Sequence, residues 1–141
     1  MIVTSRLRHP TVLTYGSFDL FCQNHVRLLR DLSGLCDELI VGCATDHHCM
    51  TEGTACSVSY ADRRAMLEHC RFVSRVIPFE TIDQQRTDIV NYNVSALAVS
   101  NDWRSHVEDL RDIVKVLYIQ DDAMPQPPIR AGQTAPRYAI Y

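Results

Sequence analysis

Lysine is almost missing from this chain. Of its 14 basic residues only Lys115 is a lysine, and the rest are arginine, a bias that drift in a GC-rich genome would produce. Positive charge is also short overall: 14 basic residues against 17 acidic ones give a formal net charge of −3. That balance offers no electrostatic case for nucleic acid as a partner. No apolar run approaches the roughly 18 residues needed to span a bilayer. The opening MIVTSRLRHP is too short and too interrupted for a secretory signal, so a soluble, cytoplasmic protein without membrane contact is expected. No repeat or linker divides the 141 residues, which suits a single domain with a core at about 11–120 and a proline-containing tail, 121–141.

Six cysteines are present: Cys22, Cys36, Cys43, Cys49, Cys56 and Cys70. Without a signal peptide they read as reduced thiols rather than a disulfide frame. Cys36, Cys43 and Cys70 lie among apolar residues and are expected as small core residues.

Apolar patterning predicts an alternation of strands and helices. The strands are Thr11–Tyr15, Glu38–Ala44, Val73–Ile77 (stopped by Pro78), Ala96–Ser100 and Val114–Ile119. A first helix runs from about Asn24 to Ser33, with Val26, Leu28, Leu29 and Leu32 as its apolar face and Gly34 as its stop. Ser59 is expected to cap a second helix, Tyr60 to about Arg71, and Ile82–Tyr92 is expected as a third. Residues 45–58 read as a long polar loop, 102–112 as a turn or short helix, and 120–141 as extended or partly disordered. The alternation predicts an α/β fold: a three-layer, doubly wound, parallel five-stranded sheet. Ligands in such folds bind at the carboxyl ends of the strands, where the polar segments gather.

One stretch dominates the functional reading. In TVLTYGSFDLFCQNHVRLL a buried strand, a glycine turn and a helix start place free backbone N–H groups and a positive dipole end at one spot suited to phosphate. The segment resembles the opening T-Y-G-(T/S)-F-D-L-(L/F)-H-x-G-H of the cytidylyltransferase-like nucleotidyltransferases, most closely the glycerol-3-phosphate cytidylyltransferases. Tyr15, Gly16, Ser17, Phe18, Asp19 and Leu20 match, and His25 matches the second histidine. Cys22 stands where the family has its first histidine, and Asn24 where it has glycine. Further landmarks match: Ala44-Thr45-Asp46 for S-T-D, Tyr60 to Arg64 for Y-x-x-R-(K/R), Phe72 to Ile77 for R-Y-V-D-x-V-I, and Ser100-Asn101-Asp102-Trp103 for G-D-D-W.

The resemblance implies a Rossmann-like nucleotidyltransferase that transfers CMP from CTP to a small phosphorylated alcohol or similar anion, with Mg²⁺ on the phosphates and a homodimer as its assembly. It assigns His25 and Cys22 to the catalytic positions. Tyr15, Gly16, Ser17, Phe18, Asn24, Arg63 and Arg130 would bind nucleotide, with Asp102 and Trp103 framing the base. Asp19 reads as structural or metal-linked rather than as a base.

The cationic points of the family motif are altered. Its lysine-bearing loop reads Cys49-Met50-Thr51-Glu52-Gly53-Thr54-Ala55, and its R-T-x-G-I-S-T-T segment becomes Gln120 to Arg130, with acids and prolines. Each lost donor at a developing charge costs about 10²–10³ in rate. Weak or altered transfer is therefore expected, and a catalytically impaired nucleotide-binding or partner-binding relative is the alternative. A third possibility is a Zn²⁺ site drawn from Cys22, His25, His47, His48 and Cys49, soft N and S ligands at one sheet edge.

Overall fold

The structure is a computed structural model that describes residues 2–3, 8–100 and 104–119. Its elements are β1 (Ile2–Val3), β2 (His9–Gly16), α1 (Gln23–Ser33), β3 (Cys36–Ala44), α2 (Asp46–Thr51), α3 (Tyr60–Glu68), β4 (Arg75–Phe79), α4 (Gln84–Asn91), β5 (Ala96–Ser100) and β6 (Lys115–Ile119). A 3₁₀ turn, Glu108–Leu110, precedes β6.

The strand order is β1-β6-β5-β2-β3-β4. The five strands from β2 to β6 pair in parallel, as the alternating pattern predicts, and the two-residue β1 adds an antiparallel edge against β6. From β2 the chain winds outward through β3 and β4, then returns to β5 on the other side of β2. That reversal puts the topological switch point, where open α/β sheets take their ligands, between the carboxyl ends of β2 and β5.

Consecutive residues of the buried strands feed opposite faces. Val12, Leu39, Val41, Ala96 and Ala98 join α1 and α3 through Leu28, Leu29, Leu32 and Leu67. Leu13, Tyr15, Ile40, Leu97 and Val99 join Ile89 of α4 and Cys49 of α2. Both faces are covered, which is why these strands read as continuous apolar runs. Cys36 and Cys43 are buried as expected, and Cys70 is half-buried against the first cluster.

Three expectations need correction. Residues 45–58 are not one loop. Thr45 caps α2 by accepting the His48 amide at 3.1 Å, and Asp46 places an acid in the first turn, two helix-start signals that outweigh the polar composition. Pro78 does not stop β4 but lies inside it, because β4 is the sheet's edge and an edge strand tolerates a missing N–H. The helix from Tyr60 ends at Glu68, and the chain leaves it so that Cys70, Phe72 and Val73 can pack against the core.

Gly42 is fixed by close approach. A Cβ there would lie 2.2 Å from Cδ1 and 2.6 Å from Cε1 of Tyr15, whose ring packs on Phe79 at 4.6 Å between centroids. The Tyr15 hydroxyl donates to Asp88 Oδ2 at 2.7 Å. Gly42→Ala is therefore expected to displace the Tyr15 ring and to cost about 1–3 kcal/mol in urea denaturation, the usual range for overpacking. A loss below about 0.5 kcal/mol would mean that the ring has room to move.

Candidate active site

The site is built where β2 runs into α1. The turn between them departs from the glycine turn expected at Gly16-Ser17. Its left-handed residues are Phe18 (φ 51°) and Leu20 (φ 52°), neither of them glycine. Such backbone costs of order 1 kcal/mol per residue and persists only where the surroundings hold it. Asp19 supplies the hold. Its Oδ1 accepts the Val58 amide at 2.9 Å and its Oδ2 the Ser57 amide at 2.8 Å, so the carboxylate pins the segment before α3 to the turn. The structural reading of Asp19 is the one this geometry carries.

Helix α1 begins at Gln23 with Cys22 as N-cap, and its first turn has no acidic residue. The expected apolar face is shifted: Val26 is half-buried, and His25 takes its place beside Leu28, Leu29 and Leu32. His25 stacks on Phe21 (5.3 Å between centroids, 9° between planes) and meets Phe18 at 5.5 Å. The Cys22 backbone N–H donates to His25 Nδ1 at 3.0 Å, and Cys22 Sγ lies 3.4 Å from the same nitrogen. Because Nδ1 accepts, a neutral ring carries its proton on Nε2.

Burial lowers the His25 pKa to about 4, with Asp19 pulling weakly the other way. At neutral pH the ring is a neutral hydrogen-bond donor rather than a cation. The linkage has a definite sign. Between pH 6.5 and 4 the unfolded chain binds a proton that folded His25 refuses, so stability is complete above about 6.5, falls toward 4 and then levels. A lowering of this size in a buried group is worth about 3 kcal/mol. The His25 ring resonances should titrate near pH 4 in NMR, and His25→Gln should remove this part of the acid slope. A midpoint near 6.5 would contradict the buried, neutral ring.

The remaining expected residues divide. Asn24 is exposed on the first turn of α1. Gly16 ends β2 opposite Cys43, and the Ser17 carbonyl accepts from Arg63. The side chains of Tyr15 and Phe18 are 2% and 1% exposed and serve the core, so their expected nucleotide contacts would have to come from backbone. Arg63 is also committed within the protein, at 1% exposure. Its Nε donates to Val58 O (2.9 Å), Nη1 to Ser17 O (2.8 Å) and Ala44 O (2.6 Å), and Nη2 to Asp46 Oδ1 (2.7 Å). It positions the loops of this edge rather than offering a free cation. Asp46 also accepts the Tyr60 amide, and these two bonds, the amide first, hold its carboxyl below the usual range. Asp102, Trp103 and Arg130 lie outside the described residues.

The five soft ligands do not converge. Among the described residues, no three His, Cys, Asp or Glu side chains are grouped to hold a metal ion. His48 is buried against Phe79 and its Nδ1–H donates to the Glu80 carbonyl at 3.0 Å, while His47 is exposed. Nor is there such a group for a protein-held Mg²⁺ among the described residues, where both oxygens of Asp19 and both of Asp46 accept bonds from the protein. Ser100, the first residue of the G-D-D-W-like match, has a buried Oγ at the carboxyl end of β5 with no hydrogen-bond partner among the described residues.

The arrangement brings a helix N-terminus, a buried imidazole and a braced turn together at a parallel sheet's switch point. The cytidylyltransferase-like family model matches residues 13–130, the whole of this frame. The chain belongs to the cytidylyltransferase-like family. It is 33% identical over 108 residues to the glycerol-3-phosphate cytidylyltransferase of Bacillus subtilis (strain 168), covering 77% of this chain and 84% of that protein. With the glycerol-3-phosphate cytidylyltransferase of Staphylococcus aureus (strain NCTC 8325 / PS 47) the identity is 32% over 109 residues, 77% of this chain and 83% of the relative. Among solved structures, a lipopolysaccharide core biosynthesis protein from Thermoplasma volcanium GSS1 matches with a TM-score of 0.67 at 20% identity, covering 79% of this chain and 96% of that one. That likeness bears on the fold. Among the described residues of this cytidylyltransferase-like chain, no helix is long and apolar enough to cross a membrane.

Proposed function

We propose that the chain transfers CMP from CTP to a small phosphorylated alcohol or similar anion, releasing pyrophosphate. The observation that carries the reading is His25: a neutral, Nε2-protonated donor on the first turn of a helix that has no acid there. An ionised phosphate oxygen of the acceptor attacks the α-phosphorus, and the bond from that phosphorus to the α–β bridging oxygen breaks. The nucleophile needs no base, so the protein's part is positioning and stabilising charge. The start of α1 holds a phosphate through its amides, His25 donates from Nε2, and the Asp19 and Arg63 contacts keep the surrounding loops in place. Asp102 and Trp103 would frame the base and Arg130 would supply a cation, and Mg²⁺ bound with the nucleotide would neutralise phosphate charge. A homodimer belongs to the same proposal.

Transfer is slow in this account. Residues 45–58 contain no Lys or Arg, and Cys22 supplies no imidazole. The same observation favours a second reading, nucleotide binding without transfer. Incubation with CTP, Mg²⁺ and a panel of phospho-alcohols, with pyrophosphate as the readout, separates the two when paired with calorimetry of CTP binding. Pyrophosphate that depends on one acceptor supports transfer. Binding without pyrophosphate supports the second reading, and absence of both removes the nucleotide site.

A further inference from the structure

We infer that Cys49 and Cys56 form a thiol–disulfide site that cross-links the 50–55 segment in response to small-molecule disulfides. The two sulfurs are 2.9 Å apart, less than about 1 Å beyond a disulfide bond length of ~2.05 Å. The backbone between them is already reversed. Gly53 takes φ 81°, its amide bonds Met50 O at 3.0 Å, and the Thr54 amide bonds Cys49 O at 2.9 Å. Both cysteines are free thiols. With no third ligand grouped there among the described residues, the pair fits a bond to each other better than a metal.

The order follows from access: Cys56 is half-buried and Cys49 buried, so an incoming disulfide meets Cys56 first, and because the bond it donates to Cys49 pushes its own thiol up, forming the Cys56 thiolate limits the first step. The Cys56 thiolate attacks one sulfur of the small disulfide and expels the other half as thiolate, leaving a mixed disulfide. The Cys49 thiolate then attacks the Cys56 sulfur and expels the second half. Two protein thiols have lost two protons and two electrons, and the small disulfide has become two thiols. Once Cys56 is a mixed disulfide it no longer donates to Cys49, and Arg63 is the charge that still favours the Cys49 thiolate against the opposing effect of burial.

The cross-link reaches the turn before α1 through one contact. Ser57 and Val58, directly after Cys56, supply the amides that Asp19 holds. Fixing Cys56 orders that segment in advance and should tighten nucleotide binding. This consequence rests on the nucleotide reading above; the disulfide itself does not.

The full chain is equilibrated in oxidised and reduced glutathione mixtures, alkylated and mapped by mass spectrometry. The expected product is a linked pair of Cys49 and Cys56 peptides, lighter by two hydrogens, with Cys36 and Cys43 still free thiols. Oxidation should raise Tm by roughly 5 °C, because closing a short loop restricts the unfolded chain. In Cys49→Ser the glutathione adduct on Cys56 should persist, for lack of a resolving thiol. Free Cys49 and Cys56 under oxidised glutathione, with adducts on exposed Cys22 instead, would overturn the site, and wild-type mapping alone is enough to see it. CTP affinity measured on both forms tests the coupling, and equal affinities would overturn it. A chain that binds no CTP yet forms the cross-link would contradict the proposed function and the coupling, not the disulfide.

Discussion

Arg63→Ala is expected to destabilise the fold by about 3–5 kcal/mol, the cost of removing one partner from a buried charged network. Arg63 is the largest fully buried side chain among the described residues, and one guanidinium joins four parts of the carboxyl edge: the turn after β2, the end of β3, the start of α2 and the entry to α3. Alanine would leave the Ser17, Ala44 and Val58 carbonyls short of a donor, strip Asp46 of its charge partner and open a cavity. Arg63→Lys should recover only part of this, because a single ammonium cannot reproduce the fork that spans three carbonyls. Urea denaturation of both variants reads the effect. Should alanine prevent folding, the lysine variant still supplies the number. A loss below about 1 kcal/mol in Arg63→Ala would contradict the assignment of Arg63 as the tie of this edge.

Arg63 also shows what the sequence could and could not disclose. The resemblance offers Arg63 as a basic residue for binding nucleotide. Nothing in its neighbours reveals that Asp46 and three carbonyls lie within its reach, because that depends on how β2, β3 and α3 come together. Elements set by local pattern were legible: β5 is found at Ala96–Ser100 as read, and α1 stops before Gly34. Elements decided by the sheet were not. Pro78 is tolerated because β4 has no outer neighbour, and the extension of β2 to His9 comes from pairing with Cys36 across β3. In the site, His25 was recognisable by its matched motif, yet its neutral state follows from Phe18 and Phe21 closing over it. The contact between Cys49 and Cys56 depends on the Gly53 reversal, which spacing alone does not fix.

His25→Ala should lower transfer by about 10²–10³, the usual loss when one preorganised donor at a developing charge is removed. Two features make His25 hard to replace. Its Nδ1 accepts the Cys22 amide, which orients the ring, and its packing against Phe21 limits the rotation of that ring. Alanine would remove the donor and leave the Cys22 amide without its acceptor. His25→Gln keeps a carbonyl for the amide and an N–H₂ donor, so it should retain more activity than alanine. The pH profile adds a separate check. Since the ring is neutral well below pH 7, transfer should show no His25 titration between pH 6 and 8. A profile that rises with protonation near 6.5 and is lost in His25→Ala would instead make His25 a cationic participant.

The most direct test of the account is ³¹P NMR of the purified chain with CTP, Mg²⁺ and glycerol phosphate, followed over hours. The account predicts slow growth of pyrophosphate together with an equal amount of a new diphosphate diester joining cytidine to the alcohol, both abolished in His25→Ala. Pyrophosphate unchanged from a protein-free control with every phospho-alcohol offered, in a sample that binds CTP, would contradict nucleotidyl transfer and leave a nucleotide-binding relative of the enzymes it resembles.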